Sequence, residues 1–475
     1  MPNAGIAAPG SNDGVFSRER RALTLGILLA VAAFATEGMG VVPALPTAVK
    51  ALGGLDYFGW LFSAFMLAWL VGTIAAGQIA DMHGPRRPMA LGLCGFGGGL
   101  LLAASALSVP QFLLGRVLQG LGGGAMIAAA YVAIARGYPD HLRARMMAIA
   151  SSVWILPAIV GPALSGAIAE RASWRLVFAG IVPLLIIVAL LLLPPLAPLT
   201  VRQQRPVSSR IPAALQLALG TGIVLGAPNL HRLNLWGQLA LGLLGLLVLL
   251  PALRTLLPAG TLVLRRGLPA GLMIRGLLAF SFFGTEAFVP LITGELRGAS
   301  PTRAGLALSA GALGWIAASW AQERLDGRFG TVGRIQSVRI GLLAVGIGIA
   351  LVTVTLLTSL PFLLIPLGWA IGGAGIGSAY SAGGLLCIAL APPGREGEVS
   401  AQLQLTEALG TAVGTGIAGA FIALFGHLAS NAHKGSMIFF GLAIVVGFMG
   451  AGLASRIWAK GGDAAAQASG ETPQE

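Results

Sequence analysis

Three carboxylates and two guanidinium groups stand inside long apolar runs of the sequence: Glu37, Glu286, Glu407, Arg116 and Arg275. A charge at the centre of a bilayer costs about 2.5–3.5 kcal/mol on insertion scales, so one that persists there faces protein or water and has a partner or a task. Glu37 lies about fourteen residues into its run, roughly 21 Å along a helix axis at about 1.5 Å per residue. That is near the middle of a hydrocarbon core about 30 Å thick. A carboxyl group so placed can bind and release a proton or hold a cation. It can also be a structural carboxyl hydrogen-bonded across helices, and that alternative stays open for Glu37, Glu286 and Glu407. Arg116 lies near one end of its run, where the competing reading is snorkelling to the interface.

Other chemistries find no residues to carry them. Cys94 and Cys387 both fall inside apolar runs, at a spacing that suits neither a metal site nor a disulfide framework. The five histidines (His83, His141, His231, His427, His433) fall in predicted loops, so a zinc-hydrolase constellation is not expected. No Gly-x-x-x-x-Gly-Lys-Ser/Thr phosphate loop occurs. The expectation is therefore a protein that is not an enzyme and needs no cofactor or metal.

The elements that must position these groups are membrane spans. Hydrophobic types make up 56% of 475 residues and charged types only 10%, against about 25% charged in soluble domains; the mean hydropathy is +0.85. With roughly 20 apolar residues per crossing, spans are expected at about 23–46, 59–80, 88–108, 111–135, 145–168, 174–195, 212–229, 235–256, 269–293, 303–321, 336–357, 361–389, 400–426 and 435–457. The fold class is all-α polytopic, with about fourteen helices. The seventh is the weakest, being short and carrying Gly220, Gly222, Gly226 and Pro228. Ala33-Phe34-Ala35 mimics a signal-peptidase site, but the run continues to Pro46, long enough to span.

The formal charge of +13 is spread singly and in small groups through the gaps between runs. Nucleic-acid binders cluster their basic residues on one face, so no nucleic-acid partner is expected. With the N-terminus inside, roughly 21 Lys and Arg fall in inside gaps and roughly 7 in outside ones. An even number of spans then places both termini in the cytoplasm of a multi-pass cell membrane, such as a bacterial inner membrane.

The two halves of the chain repeat. Phe112-Leu113-Leu114 leading to Gly122-Gly123 and Tyr131 matches Phe362-Leu363-Leu364 leading to Gly372-Gly373 and Tyr380. Gly161 and Gly166 match Gly414 and Gly419; Thr36-Glu37 before Val42-Pro43 matches Thr285-Glu286 before Val289-Pro290; Asp81 matches Asp326. Repeated bundles place a binding site near the midplane where the repeats meet. The expected organisation is a tail over 1–22, a six-helix bundle over 23–195, a connector with two extra spans over 196–268, a second six-helix bundle over 269–457 and a disordered tail over 458–475.

With these elements in place, the sequence resembles the major facilitator superfamily, and within it the fourteen-helix drug/proton antiporters. The turn after the second span keeps Gly77, Asp81, Gly84 and Arg86 of that family's Gly-x-x-x-Asp-basic-x-Gly-basic-basic signature, while Met82 and Pro85 depart from it. Asp326 and Arg328 repeat part of it in the second half. A carboxylate there can accept from the amino-terminal amides of a helix in the other half and act as a gating latch. Arg116, Gln119 and Gly120 match Arg-x-x-Gln-Gly. Gly161-Pro162 and Gly166 match the antiporter motif, with Ser165 in place of a glycine, and Trp174-Arg175 fits the drug-efflux branch. Glu37 stands nine residues before Pro46 of Ala44-Leu45-Pro46, where the branch has Asp.

The resemblance implies proton-coupled transport by alternating access, exporting lipophilic or cationic small molecules, by a chain that works as a monomer. Glu37 is then the main coupling carboxylate, with Glu286, Glu407 and Arg116 supporting it. The expected pathway residues are Gln119, Tyr131, Trp154, Phe282, Phe283, Trp369 and Tyr380. Transport of one specific metabolite is the alternative. A membrane-embedded enzyme would need a polar cluster that the short loops do not offer, and a channel would lack the repeat.

Overall fold

The computed structural model describes residues 14–199, 210–230, 234–426 and 432–458, with the side chains of 229, 235, 325–329, 426 and 432 outside that description. Residues 1–13 of the expected 1–22 tail, 459–475 of the expected 458–475 tail, and 200–209 and 231–233 of the expected 196–268 connector fall beyond it. Among the described residues the chain is helical throughout, without a strand. Six long helices come first: α1 (Arg21–Leu52), α2 (Leu55–His83), α3 (Arg86–Ala104), α4 (Val109–Gly137), α5 (Asp140–Arg171) and α6 (Trp174–Leu199). The pair α7 (Ile211–Gly226) and α8 (Trp236–Leu256) follows. The last six are α9 (Leu268–Arg297), α10 (Pro301–Arg324), α11 (Gly330–Leu357), α12 (Leu364–Ala389), α13 (Glu396–Phe425) and α14 (His433–Ile457).

Thirteen of these are long and apolar enough to cross a bilayer. The expected seventh span is the exception: α7 has 16 residues, then a 3-10 turn over Ala227–Asn229. Pro228 lacks the amide needed to carry an α-helix onward. Two further expectations change. The gap between α10 and α11 is helical rather than a loop, interrupted only at Gly330, where φ is 54°. His83, His141 and His433 sit at helix ends rather than in loops.

Two helices break where prolines follow an acidic residue. α1 is interrupted by a 3-10 turn over Val42–Ala44, and α9 between Glu286 and Val289. Glu37 thus sits at the centre of a 32-residue span, four residues before its break.

In the first bundle α4 is central, with α2 and α3 packed on it while α1 meets α5 and α6. Its glycines permit this closeness, as small residues do in membranes. A Cβ at Gly92 would lie 2.9 Å from the Gly122 carbonyl oxygen, and one at Gly99 2.7 Å from that of Gly115. In the second bundle α12 packs on the α10–α11 pair and α9 on α13 and α14.

The bundles meet along two seams, α2 against α13 and α5 against α10. The inserted α7 packs on both α2 and α13. Leu70, Leu217 and Leu405 share one apolar cluster there, and Trp60 lies against Gly226. The end of the molecule holding Arg21 and the α2–α3 turn is called here the N-terminal face.

Candidate functional site

α1, α2, α3 and α4 converge on one buried polar cluster. Arg116 reaches Glu37, its Nη1 donating to Oε1 and to Gln119 Oε1 at 2.7 Å, while its Nε donates to the Leu61 carbonyl at 3.0 Å. The guanidinium lies over the Phe65 ring at 4.3 Å. Gln119 Nε2 donates to the Gly99 carbonyl at 3.0 Å, a bond available because Gly99 lets the backbones approach. Glu37 is 1% exposed and Gln119 fully buried. Arg116 does not snorkel: it is 4% exposed and turned into the bundle.

One feature of this cluster is unsatisfied. Glu37 Oε2 is buried with no hydrogen-bond partner among the described residues. Such atoms are few in folded proteins and call for an explanation, among them an ordered water, a bound ion or a functional role. The carboxyl group therefore has one oxygen held by a cation and one without a partner among the described residues.

The second bundle places Glu286 differently. Its counterpart to Gln119 in the repeat is Trp369, whose indole N–H lies close to the Glu286 carboxyl without making a direct hydrogen bond. Among the described residues no arginine pairs with it. Phe282 stacks on Trp369 at 4.9 Å between centroids, and both are buried within the bundle. Phe283 is half-buried and tilted against Trp315 at 5.9 Å.

A second ion pair forms nearer the N-terminal face. Arg275 donates to Glu407 Oε2 from Nε at 3.3 Å and Nη2 at 3.1 Å, and to the Tyr380 carbonyl at 3.0 Å. Tyr380 Oη donates to the same Glu407 oxygen at 2.9 Å, and the Tyr380 ring lies under the guanidinium. These bonds to Glu407 all reach the same oxygen, and the Glu407 side chain is 25% exposed. Tyr131, from the first bundle, is exposed. Trp154 is half-buried, edge-on to Phe34 at 5.8 Å.

The motif residues divide between the two faces. On the N-terminal face Asp81 pairs with Arg136 of its own bundle at 3.5 Å, and Arg136 also donates to the Ala80 carbonyl at 3.1 Å. Gly84 has φ 82° and ends α2, Gly77 faces open space, and Arg86 is exposed. Asp326 and Arg328 lie outside the described side chains.

At the opposite face Gly161 packs on Gly40 beside the break in α1. The Pro162 carbonyl abuts Gly305, and Gly166 abuts the Pro301 backbone. The α2–α13 seam closes there too: Ser63 Oγ donates to the Ala412 carbonyl at 2.9 Å, and Phe58 meets Phe288 edge-on at 5.2 Å.

Glu170 completes this face and was not among the expected residues. Its Oε2 accepts from Thr302 N at 3.2 Å and Thr302 Oγ1 at 2.5 Å, so a carboxylate of the first bundle caps the first turn of α10 in the second. That is the latch geometry expected of Asp81, built at the other end. No motif marks Glu170; only its place at the end of α5, opposite Ser300-Pro301-Thr302, could have suggested it.

Paired six-helix bundles, a proline-broken helix in each, and charges buried between helices define a helical membrane transporter. The family description Major Facilitator Superfamily matches residues 25–415, and the chain belongs to that family. A probable multidrug-efflux transporter of Mycobacterium tuberculosis is 26% identical over 437 residues, covering 85% of this chain and 88% of its own. Multidrug resistance protein 3 of Bacillus subtilis is 30% identical over 162 residues, 34% of this chain and 32% of its own. Among solved structures, a peptide transporter POT variant in complex with alafosfalin superposes with a TM-score of 0.68 at 17% identity, covering 94% of this chain and 96% of its own. A bacterial homologue of the human lysosomal transporter Spinster, inward-facing and unoccupied, gives 0.61 at 16% identity, covering 94% and 99%. These likenesses concern the fold.

Proposed function

We propose that this transporter is a proton-coupled efflux antiporter for lipophilic, cationic compounds. The observation that carries the reading is the buried Glu37, with Oε1 held by Arg116 and Oε2 unbonded. A proton on Oε2 removes the charge that holds Arg116, and the guanidinium then keeps only a neutral hydrogen bond to Oε1 beside those to Gln119 and the Leu61 carbonyl. Loss of the proton restores the pair. Because α1 breaks four residues after Glu37, a change at the carboxyl acts next to the point where the helical hydrogen bonding changes to a 3-10 turn.

In this reading the N-terminal face is cytoplasmic, in agreement with the loop-charge asymmetry. The close approaches at Gly166, Gly305, Ser63 and Phe58 then close the outer end. Asp81, paired within its own bundle, is a latch in its released state. The cargo site takes its aromatic wall from Phe283, Trp315 and Tyr380, with Glu286 and Glu407 as acidic groups. Such surroundings suit an apolar cation, and the multidrug-efflux names of the relatives agree with that class.

The test is transport in proteoliposomes under an imposed pH gradient, with lipophilic cations compared against peptides, sugars and amino acids. Cation-dependent proton movement that disappears in Glu37→Gln is the expected result. Proton movement stimulated by no cation rejects the cargo class. Gradient-driven transport that survives Glu37→Gln rejects the coupling site.

A further inference from the structure

A cavity of about 540 Å³ lies where the insertion meets the second bundle. Its lining comes from the end of α8 and the linker after it, the start of α9, the α12–α13 turn and the first turns of α13. No residue of α1–α6 contributes, so the cavity is not part of the path between the bundles.

Its depth is set by the helices around it. α8 ends at Leu256, α9 begins at Leu268, α12 ends at Ala389 and α13 begins at Glu396. A space enclosed by four span ends lies at the level of lipid headgroups, just outside the hydrocarbon core.

Its chemistry is mixed in a particular way. Arg265 has no ion-pair partner among the described residues, while Arg395 is held by Glu398 at 2.7 Å. Glu398 also faces Arg210 at 3.7 Å. Gln402 is 9% exposed, lines the cavity, and its Oε1 has no hydrogen-bond partner. Leu257 and Val399 supply apolar wall. The site thus offers one uncommitted cation, an acceptor awaiting a donor, and an apolar flank.

We propose that this cavity binds the headgroup of a membrane phospholipid that carries its own hydrogen-bond donor. The phosphate sits on Arg265, and a glycerol hydroxyl or ethanolamine ammonium donates to Gln402 Oε1 beside Glu398. The acyl chains run along the apolar flank into the bilayer. Phosphatidylglycerol and phosphatidylethanolamine both meet these demands. Phosphatidylcholine has the phosphate but no N–H or O–H to give, and leaves Gln402 unsatisfied. The lipid so held joins the insertion to the second bundle, which gives α7 and α8 a role as a lipid-dependent brace.

Native mass spectrometry of the purified full-length protein tests this, with phosphatidylglycerol, phosphatidylethanolamine, phosphatidylcholine and glycerol 3-phosphate as probes. One tightly held phosphatidylglycerol or phosphatidylethanolamine per chain is expected, with phosphatidylcholine at least tenfold weaker. Arg265→Gln should weaken phosphatidylglycerol at least tenfold, and Gln402→Leu should erase the preference over phosphatidylcholine. Equal retention of all three lipids, or undiminished binding to Arg265→Gln, overturns the proposal. Glycerol 3-phosphate binding as tightly as the lipids assigns the cavity to a soluble phosphate ester and also overturns it. Should either variant be unstable, the headgroup ranking on the unaltered chain decides alone.

Discussion

Removing Arg116 should cost more than removing Arg116 and the charge of Glu37 together. In Arg116→Met, Glu37 loses its only observed partner and becomes an uncompensated buried carboxylate. Breaking a buried ion pair from one side costs about 3–5 kcal/mol. The Leu61 carbonyl and Gln119 oxygen also lose their donor, which adds about 1–2 kcal/mol. Glu37→Gln is milder, at about 2–3 kcal/mol, because the amide oxygen can still accept from Arg116, which keeps its other contacts. In the double variant no charge remains, and only the orphaned acceptors count, for about 1–2 kcal/mol. The second substitution should therefore raise the unfolding temperature of Arg116→Met by several degrees. Thermal unfolding in detergent, followed by tryptophan fluorescence, reads the order. All three variants should lose proton-driven transport, so stability returns in the double variant while coupling does not. If adding Glu37→Gln lowers the unfolding temperature further, the two residues do not compensate each other and the account of the cluster is wrong.

Three further outcomes follow from the faces of the molecule. Glu170→Ala removes the cap on α10 and should widen distances between spin labels placed across the opposite face, with little change in unfolding temperature; an unchanged distribution rejects the clasp. Gly305→Leu drives a side chain into the Pro162 carbonyl and should lower transport at least tenfold in protein that still reaches the membrane, whereas activity equal to the unaltered chain would show that α5 and α10 need not touch. Arg136→Gln breaks a half-exposed pair with Asp81, worth at most about 1 kcal/mol; it should slow transport without lowering stability, and a matched loss of both would make the pair structural.

The fold was legible because membranes impose a length and a composition on every crossing, and the repeat showed in motifs such as Gly122-Gly123 and Gly372-Gly373. What escaped was whatever depends on partners distant in sequence. Glu37 and Arg116 were each visible as intramembrane charges, but 79 positions separate them and only packing shows that they meet. Arg275 and Glu407 are 132 apart and meet in the same way. Aromatic type gave no direction: Phe282 and Trp369 stack inside the bundle, while Tyr131 is exposed. A lone acid such as Glu170 gives no signal until the neighbouring helix end is seen. The α10–α11 connection misled because its polar residues match a loop as well as a solvated helix.

The position of α7 also makes the two seams between the bundles unlike each other. At the α2–α13 seam α7 lies over the join, with Leu217 against the leucines of both sides, Leu225 against Gly416 and Trp60 under Gly226. Among the described residues the α5–α10 seam has no such cover. The insertion therefore makes the two seams mechanically unequal: one is bridged by a third element, while the other is joined by the direct backbone approach of Pro162 to Gly305.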